Sequence, residues 1–243
     1  MIEALRNIGE YALESEGKTT DNPLEILLDN PANKNTKNIL FIIISEEEGE
    51  FKYHGIETEE YSKEKLNRYL YRKGSGARGT DITPISMVTD IVKTFDIKIL
   101  NWFKNYNSDK NNKSEMMQNI YFAIKKNKEK ILQDLKEKST IESNIVSFKF
   151  NGKYLGDFEI FRKILVNKSS ENFYSKFGKI SKSENKLCSI CKKKSDEVYG
   201  FVSTFNFYTV DKKGFVSGGF EQEDAWKNYP VCLNCALTLE EGK

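Results

Sequence analysis

The sequence is poor in the residues that most enzymes use for catalysis. Its 243 residues include one histidine, His54, and they lack both the G-x-x-x-x-G-K-S/T phosphate loop and the H-E-x-x-H zinc motif. His54 has no neighbouring cysteine or aspartate in the sequence that would make it a base or a nuclease metal ligand. We therefore expect a protein that is not an enzyme. An unrecognised metal-dependent nuclease is the alternative that cleavage assays would test.

Long apolar runs are also missing. The first residues, Met-Ile-Glu-Ala-Leu-Arg-Asn-Ile, alternate apolar and charged groups, so we expect neither a signal peptide nor a membrane anchor. Hydrophobic residues make up 38% of the chain and charged residues 30%, a balance typical of globular proteins. These features predict a cytoplasmic protein with no membrane partner. In a reducing compartment, paired cysteines favour metal binding over disulfides.

The chain has no large excess of charge of either sign, because its formal net charge is only +2. Arginine is scarce as well, with five among the 38 basic residues, yet three of the five (Arg68, Arg72 and Arg78) fall within eleven positions. The net charge alone does not argue for a nucleic-acid partner. The clustering of arginines marks one segment for closer inspection.

Hydrophobic periodicity predicts an α+β fold in which helices accompany a small mixed sheet. We assign residues 1–144 to an amino-terminal α+β domain on this basis. Its expected helices are residues 2–13, 61–73, 84–103 (opened by Thr83 as N-cap and Pro84) and 114–138, and its expected strands are residues 39–44 and 51–56.

Residues 145–243 read as a second, β-rich region. Asn151-Gly152 separates two apolar segments and predicts a hairpin with a type I′ turn, followed by a short helix at 159–166. Further strands are expected at 198–201, 205–210 and 215–216. We expect this region to be a zinc-ribbon-like appendage that is closed by its cysteines.

Four cysteines form two C-x-x-C pairs separated by forty residues: Cys188, Cys191, Cys232 and Cys235. Each pair places two thiolates on one tight turn, and two pairs supply the tetrahedral ligand set that zinc prefers. With every position taken by sulfur, the zinc would be structural. Lys192, Lys193 and Lys194 would help to neutralise the net charge of −2. Two redox-active C-x-x-C motifs are the alternative, but the thioredoxin-type context is missing.

The arginine cluster surrounds a glycine-rich segment, Gly74-Ser-Gly-Ala-Arg-Gly79, which matches G-x-G-x-x-G. A dinucleotide site needs a buried strand before the first glycine, and here the end of a charged helix precedes it, so we reject that interpretation. Bare glycine amides and guanidinium groups still suit phosphate, and Tyr69 and Tyr71 could stack on bases. The predicted nucleic-acid-binding residues are Arg68, Arg72, Lys73, Gly74, Gly76, Arg78 and Gly79. A surface loop without a ligand is the alternative.

Several segments in order resemble the large subunit of the type I-B CRISPR surveillance complex, Cascade. They are the segment from Tyr69 to Pro84, Cys188-Ser-Ile-Cys191, Phe215-Val-Ser-Gly-Gly-Phe220 and Ala225-Trp-Lys-Asn-Tyr-Pro-Val-Cys-Leu-Asn-Cys235. Members of that family are longer, so the resemblance implies an amino-terminal fragment.

The resemblance implies a non-catalytic subunit beside the 5′ end of the guide RNA. Such a subunit helps to inspect the protospacer-adjacent motif of target DNA, assists strand separation and presents the target to a helicase-nuclease. Its partners would be the other Cascade subunits, guide RNA, target DNA and that helicase-nuclease. A free-standing zinc-ribbon nucleic-acid binder outside CRISPR defence is the alternative.

Overall fold

The computed structural model of the protein describes residues 2–20, 22–74, 79–110, 112, 114–140, 143–173, 175–176, 178–200 and 221–243. The predicted strands at 205–210 and 215–216, together with Gly76 and Arg78, lie outside these residues. The chain divides into two compact units. Residues 28–165 form the sheet unit, and residues 1–27 with 166–243 form the cysteine unit.

The helices are α1 (Ile2–Ser15), α2 (Pro23–Leu27), α3 (Leu66–Tyr69), α4 (Ile91–Lys93), α5 (Asn101–Ser108), α6 (Glu115–Lys126), α7 (Lys128–Lys138), α8 (Glu159–Ser170) and α9 (Leu233–Glu241). A π-helical segment, Thr94–Leu100, joins α4 to α5. The strands are β1 (Thr36–Glu47), β2 (Glu50–Glu60), β3 (Ser86–Met87), β4 (Ser143–Phe150), β5 (Lys153–Tyr154), β6 (Ser175–Lys176), β7 (Lys179–Ile180), β8 (Lys182–Leu187) and β9 (Lys194–Tyr199). No helix among the described residues is long and apolar enough to cross a bilayer.

A mixed five-stranded sheet organises the sheet unit. Its strand order is β2-β1-β4-β3, and β5 pairs with β4. The central pair β1 and β4 is parallel and aligns Ile39 with Ile145 and Ile42 with Phe148, whereas the other pairings are antiparallel. Ile39, Leu40, Phe41 and Ile42 are all fully buried. Successive strand residues point to opposite faces, so both faces of β1 are covered.

Aromatic side chains fill the space between this sheet and its helices. Phe148 and Phe150 stack on one face of β4, with ring centroids 5.5 Å apart. Phe103 of α5 meets Phe148 edge-on at 5.3 Å, and Phe161 of α8 stacks on Phe150 at 5.8 Å. These contacts explain why residues just after the hairpin belong with the amino-terminal strands.

The helix expected from Pro84 begins later, at Ile91. Asp90 is its N-cap, and the Asp90 carboxylate accepts the Lys93 amide at 2.8 Å. Thr83, the predicted cap, donates its hydroxyl to the Leu70 carbonyl instead. The helix start was therefore wrong by seven positions, because residues 86–87 pair with β4 as β3 rather than joining the helix.

Two other helix predictions need correction. The helix expected at 61–73 ends at Tyr69, where Leu70 adopts φ 62° and its side chain is fully buried. The helix expected at 114–138 is divided at Asn127 into α6 and α7. The type I′ turn is present, since Asn151 and Gly152 have φ 49° and 73°.

The cysteine unit contains two hairpins, β6-β7 and β8-β9, and packs α1 against α9. The α1 and α9 backbones approach closely at two glycines. A Cβ on Gly9 would overlap the Thr238 carbonyl oxygen, and a Cβ on Gly242 would overlap the Leu5 carbonyl oxygen. Only glycine permits this approach.

The predicted fold class is confirmed: a mixed α/β fold with a five-stranded sheet is followed by a two-stranded hairpin and a four-cysteine cluster. The domain division expected at 144/145 differs from the compact units. It falls within β4, whose parallel pairing with β1 keeps the segment to residue 165 in the sheet unit. Residues 1–27 lie instead with the cysteines.

Candidate metal centre

The structure brings the sulfur atoms of Cys188, Cys191, Cys232 and Cys235 within 4.8 Å of one another. The Sγ atoms of Cys191 and Cys232 are 3.9 Å apart. A tetrahedral ion with metal–sulfur bonds of about 2.3 Å holds its sulfurs about 3.8 Å apart. The cluster thus has the dimensions of a tetrahedral metal site, and the predicted ligand set is gathered at one place.

The hairpin of β8 and β9 shapes the first cysteine pair. The Cys188 amide donates to the Lys193 carbonyl at 3.0 Å, and the Lys192 amide donates to the Cys188 carbonyl at 3.0 Å. Lys192 takes a left-handed conformation, φ 60°, which closes the turn. The Ile190 amide then points at Cys188 Sγ, 3.4 Å away. This tight turn therefore places the thiols of the first cysteine pair and the Ile190 amide close together.

The second pair is positioned by a short bridge and by α9. Tyr199 of β9 exchanges two backbone hydrogen bonds with Val231, at 2.8 and 3.1 Å. The next residue, Cys232, is the N-cap of α9, and its amide donates to Cys188 Sγ at 3.4 Å. Cys235 follows within the first turn of the helix. Helix α9 was not predicted from the sequence.

Thiol ionisation in the cluster is strongly unequal. Hydrogen bonds from Cys232 and Cys235 hold the pKa of the Cys188 thiol below its ordinary value. Donating to Cys188 raises the pKa of Cys232 to about 11, and it raises the pKa of Cys235 as well. Cys188 is thus the hydrogen-bond acceptor for the thiols of Cys232 and Cys235. A divalent cation supplies the positive charge that allows all four to ionise.

Basic side chains adjoin the cluster in a cavity of about 340 Å³. Lys193 and Lys194, two of the lysines predicted to offset the thiolate charge, line it together with Cys191. Arg6 of α1 lines it as well and pairs with Glu10 at 2.8 Å. Arg6 was missed because it is 182 positions before Cys188 in the sequence and no spacing rule connects the two.

The predicted nucleic-acid segment is held to the protein at several points. The Arg68 guanidinium lies 3.4 Å from Asp157 Oδ2 and 4.0 Å from the centre of the Tyr154 ring. The Lys73 amide donates to Asp29 at 2.9 Å, and the Gly74 amide donates to Asp81 at 3.2 Å. These two amides therefore already have carboxylate acceptors. Gly74 also lies so close to the Thr80 carbonyl that a Cβ would overlap it.

The Tyr69 ring is not accessible for stacking on bases, a role that the sequence had suggested for it. Its side chain is fully buried, with its ring 6.3 Å from Phe41, and its hydroxyl accepts the Ser62 amide at 3.2 Å. Arg72 is half-buried, while Lys73 and Gly79 are exposed. Of the predicted binding residues, Gly76 and Arg78 are outside the described part of the chain.

Comparison with protein families gives two matches in sequence order. The N-terminal domain of the family described as CRISPR-associated protein TM1802 matches residues 1–167. The chain belongs to the CRISPR-associated protein TM1802 family. The central domain of the same family matches residues 185–243. No curated protein and no solved structure shows significant similarity to the chain.

Membership of the TM1802 family associates the chain with the CRISPR machinery. The matched central domain includes all four cysteines, so the candidate metal centre lies in the TM1802 central domain. Helices α1 and α2 lie within the matched N-terminal domain, yet they belong to the same compact unit as the cysteines. The family domains and the compact units therefore do not coincide.

Proposed function

We propose that this TM1802 family protein is the amino-terminal part of the large subunit of a type I-B Cascade. In that role it binds guide RNA and target DNA and helps to recognise the protospacer-adjacent motif. The observation that carries the proposal is the match of two successive domains of one CRISPR-associated family to residues 1–167 and 185–243. The segments that resemble the Cascade large subunit fall within both.

We assign a structural zinc ion to the cysteine cluster. Thiolates are soft ligands that select zinc over magnesium or calcium, and the sulfur spacing fits a tetrahedral ion. Four sulfur ligands leave no coordination position for water or substrate. The zinc ion would hold the β8-β9 hairpin to α9 rather than take part in a reaction.

We also propose a non-catalytic role for the chain. The four cysteines are the metal-binding cluster found among them, and no histidine or carboxylate belongs to that cluster. The alternative, a free-standing zinc-ribbon protein outside CRISPR defence, is disfavoured by the family membership. A nuclease would cleave DNA or RNA in the presence of magnesium or manganese, and we expect no cleavage with either ion.

Co-expression tests the Cascade assignment. The tagged chain is produced together with a CRISPR RNA and Cascade backbone subunits from the same organism, and the tag is pulled down. We expect the backbone subunits and the RNA to co-purify, and we expect the complex to bind target DNA with its protospacer-adjacent motif better than the same target with a scrambled motif. A tagged chain that purifies alone would overturn the assignment.

The basic loop, residues 68–80, gives a finer test in the assembled complex. If the arginines contact phosphate, Arg72→Ala and Arg78→Ala should weaken binding equally for nucleic acids of all sequences. Each substitution should also lower the salt slope, which is the dependence of log affinity on log salt concentration, by about 0.7 to 0.9. Loss of about 1 to 3 kcal/mol on the correct motif alone would identify a base contact. Unchanged binding and salt dependence in both variants would remove the loop from the interface.

A further inference from the structure

A polar cavity of about 850 Å³ lies at one edge of the sheet. Strands β1 and β4 are parallel, so both begin at this edge, where Asn38 is paired with Asn144. The cavity is lined by residues around the start of β1, by the segment from β3 to the start of α4, and by the residues that follow α7. We call it the edge cavity. Its volume falls within the range of roughly 300 to 1,000 Å³ that small-ligand sites occupy.

A buried amide forms the floor of the edge cavity. Asn144 is 2% exposed, and its Nδ2 donates to Ser139 Oγ and to the Thr140 carbonyl, both at 3.2 Å. Its main-chain carbonyl accepts the Val88 amide at 2.8 Å, which fixes the neighbouring wall. Because Ser139 Oγ accepts this hydrogen bond, its own proton is directed elsewhere. The floor therefore holds a hydroxyl donor in a fixed position.

Among the lining residues that the structure describes, hydrogen-bond donors are numerous and two cations face one carboxylate. Lys34 and Lys37 are the cations, and Asp90 is the only acidic residue among the lining residues that the structure describes. The Asp90 carboxylate already accepts the Lys93 amide as the helix N-cap. Thr89 adds a further exposed hydroxyl. Ammonium and hydroxyl donors around one space suit an anion with several acceptor oxygens, which is the chemistry of a phosphate group.

We propose that the edge cavity binds a phosphate group of a nucleic-acid strand. This inference rests on the proposed function, which identifies the strand as guide RNA or target DNA. The edge cavity gathers the Lys34 ammonium and the Ser139 and Thr89 hydroxyls around one space. In the described part of the basic loop, the amides of Lys73 and Gly74 donate to carboxylates, and Arg68 is paired with Asp157. The volume accommodates the sugar attached to the phosphate as well.

Fluorescence anisotropy with the full chain tests the proposal. Labelled 12-nucleotide single strands of RNA and of DNA with the same sequence are titrated at several salt concentrations, and inorganic phosphate is added as competitor at constant ionic strength. Lys34→Gln should weaken strand binding about tenfold, as for a lost hydrogen bond to a charged group. It should also lower the salt slope by about 0.7. Ser139→Ala should weaken binding without changing the salt slope.

The matched control is Lys163→Gln. Lys163 lies on α8 in the same unit, and its side chain is 70% exposed and pairs with Glu159. Removing its charge lowers the net charge of the chain by the same amount as Lys34→Gln. We expect Lys163→Gln to bind like the wild type, so that a difference between the two variants reports position and not total charge.

Binding of RNA alone, of DNA alone or of both, with loss in Lys34→Gln and Ser139→Ala, supports the proposal and identifies the strand. If both variants bind the strands with wild-type affinity, the cavity proposal is overturned, and the strands bind elsewhere on the chain. Phosphate binding without strand binding overturns it too, since the site would then take a free anion. A wild-type chain that binds neither ligand at low salt also overturns it, whereas the Cascade assignment is judged by the co-purification above.

Discussion

The Arg68 guanidinium lies 4.0 Å from the centre of the Tyr154 ring and 3.4 Å from Asp157. This arginine of α3, predicted to bind phosphate, thus contacts Tyr154 of β5 and Asp157 in the segment that follows β5. Tyr154 in turn contacts Phe41 edge-on at 5.4 Å, so the contact continues into the core of the sheet.

Arg68→Ala should therefore lower the free energy of unfolding by about 0.5 to 1 kcal/mol, the usual size of an exposed cation–π contact. Arg68→Lys should recover only part of the loss, because lysine lacks the planar guanidinium. Urea unfolding measures the change, with Arg162→Ala on the exposed side of α8 as the control. If Arg68→Ala instead leaves stability intact and weakens nucleic-acid binding, phosphate contact is its main role.

Trp102 fixes the α5 helix to the core. It is 6% exposed, its Nε1 donates to the Ile82 carbonyl at 2.9 Å, and its ring meets Phe103 edge-on at 5.0 Å. Trp102→Ala should cost about 3 to 5 kcal/mol as a cavity-forming substitution. Trp102→Phe keeps most of the packing and should cost less. Thermal unfolding compares the two variants, and an unchanged midpoint for Trp102→Ala would show that the residue is not part of the core.

A partly buried group of charges on the sheet predicts a pH dependence of stability. Lys149 of β4 contacts both Glu59 and Glu57 of β2, the latter at 2.6 Å. Burial alone raises the pKa of the Glu59 carboxyl, but hydrogen bonds from Lys149 and Tyr154 outweigh it and hold that pKa below its ordinary value. A lowered carboxyl pKa stabilises the fold above the ordinary value of about 4.3, and the contribution is lost as pH falls through the folded pKa.

In Glu59→Gln, the free energy of unfolding should accordingly fall less steeply as the pH is lowered. Urea unfolding between pH 3 and pH 7 measures this, with Glu60→Gln on the same strand as the control. The pKa of Lys149 is also raised, because hydrogen bonds from its ammonium to Glu57 and Glu59 outweigh burial, which lowers it. Its contribution is present below the ordinary lysine pKa and is lost as pH rises through the folded value. If the free energy of unfolding of Glu59→Gln and of the wild type falls equally between pH 7 and pH 3, the prediction for Glu59 is contradicted.

The sequence predicted features that depend on neighbouring residues. The apolar run from Ile39 to Ile44 is the buried central strand, and Asn151-Gly152 forms the turn that its residue types favour. The C-x-x-C pairs meet because the first pair lies in the turn of the β8-β9 hairpin, and the bridge from Tyr199 to Val231 places the second pair beside it. The buried Lys149 was not predictable, because its partners are about 90 positions away and its charge suggests an exposed strand position. The start of α4 was misjudged because pairing of β3 with β4 is a tertiary effect.

Gly9 provides a test of the packing between α1 and α9. Gly9→Ala raises intrinsic helix propensity by about 1 kcal/mol, yet its Cβ would overlap the Thr238 carbonyl. We expect net destabilisation of the cysteine unit by about 1 to 3 kcal/mol, as for overpacking elsewhere. Hydrogen exchange of residues 2–15 should rise together with that of α9. Asn7→Ala, at an exposed position of α1, is the control and should leave exchange unchanged. Slower exchange in Gly9→Ala would mean that propensity outweighs the overlap.

Metal removal should affect several elements at once, because the cysteine cluster joins segments that lie far apart in sequence. The purified protein should contain one zinc ion per chain by elemental analysis. The binding energy of a structural zinc ion, on the order of 10 kcal/mol, becomes folding energy.

A chelator or Cys232→Ser should therefore remove hydrogen-exchange protection from residues 182–199 and from α9. Protection of α1 should fall with them, since α1 packs on α9. The strand from Ile39 to Ile44 should keep its protection, because its core is built within residues 28–165. Ser189→Ala changes a residue between two ligands and leaves all four thiols, so it should behave like the wild type. Protein that contains no metal and joins these cysteines in disulfides would contradict the zinc assignment. Metal loss that leaves α9 protected would show that the ion is bound but does not hold the unit together.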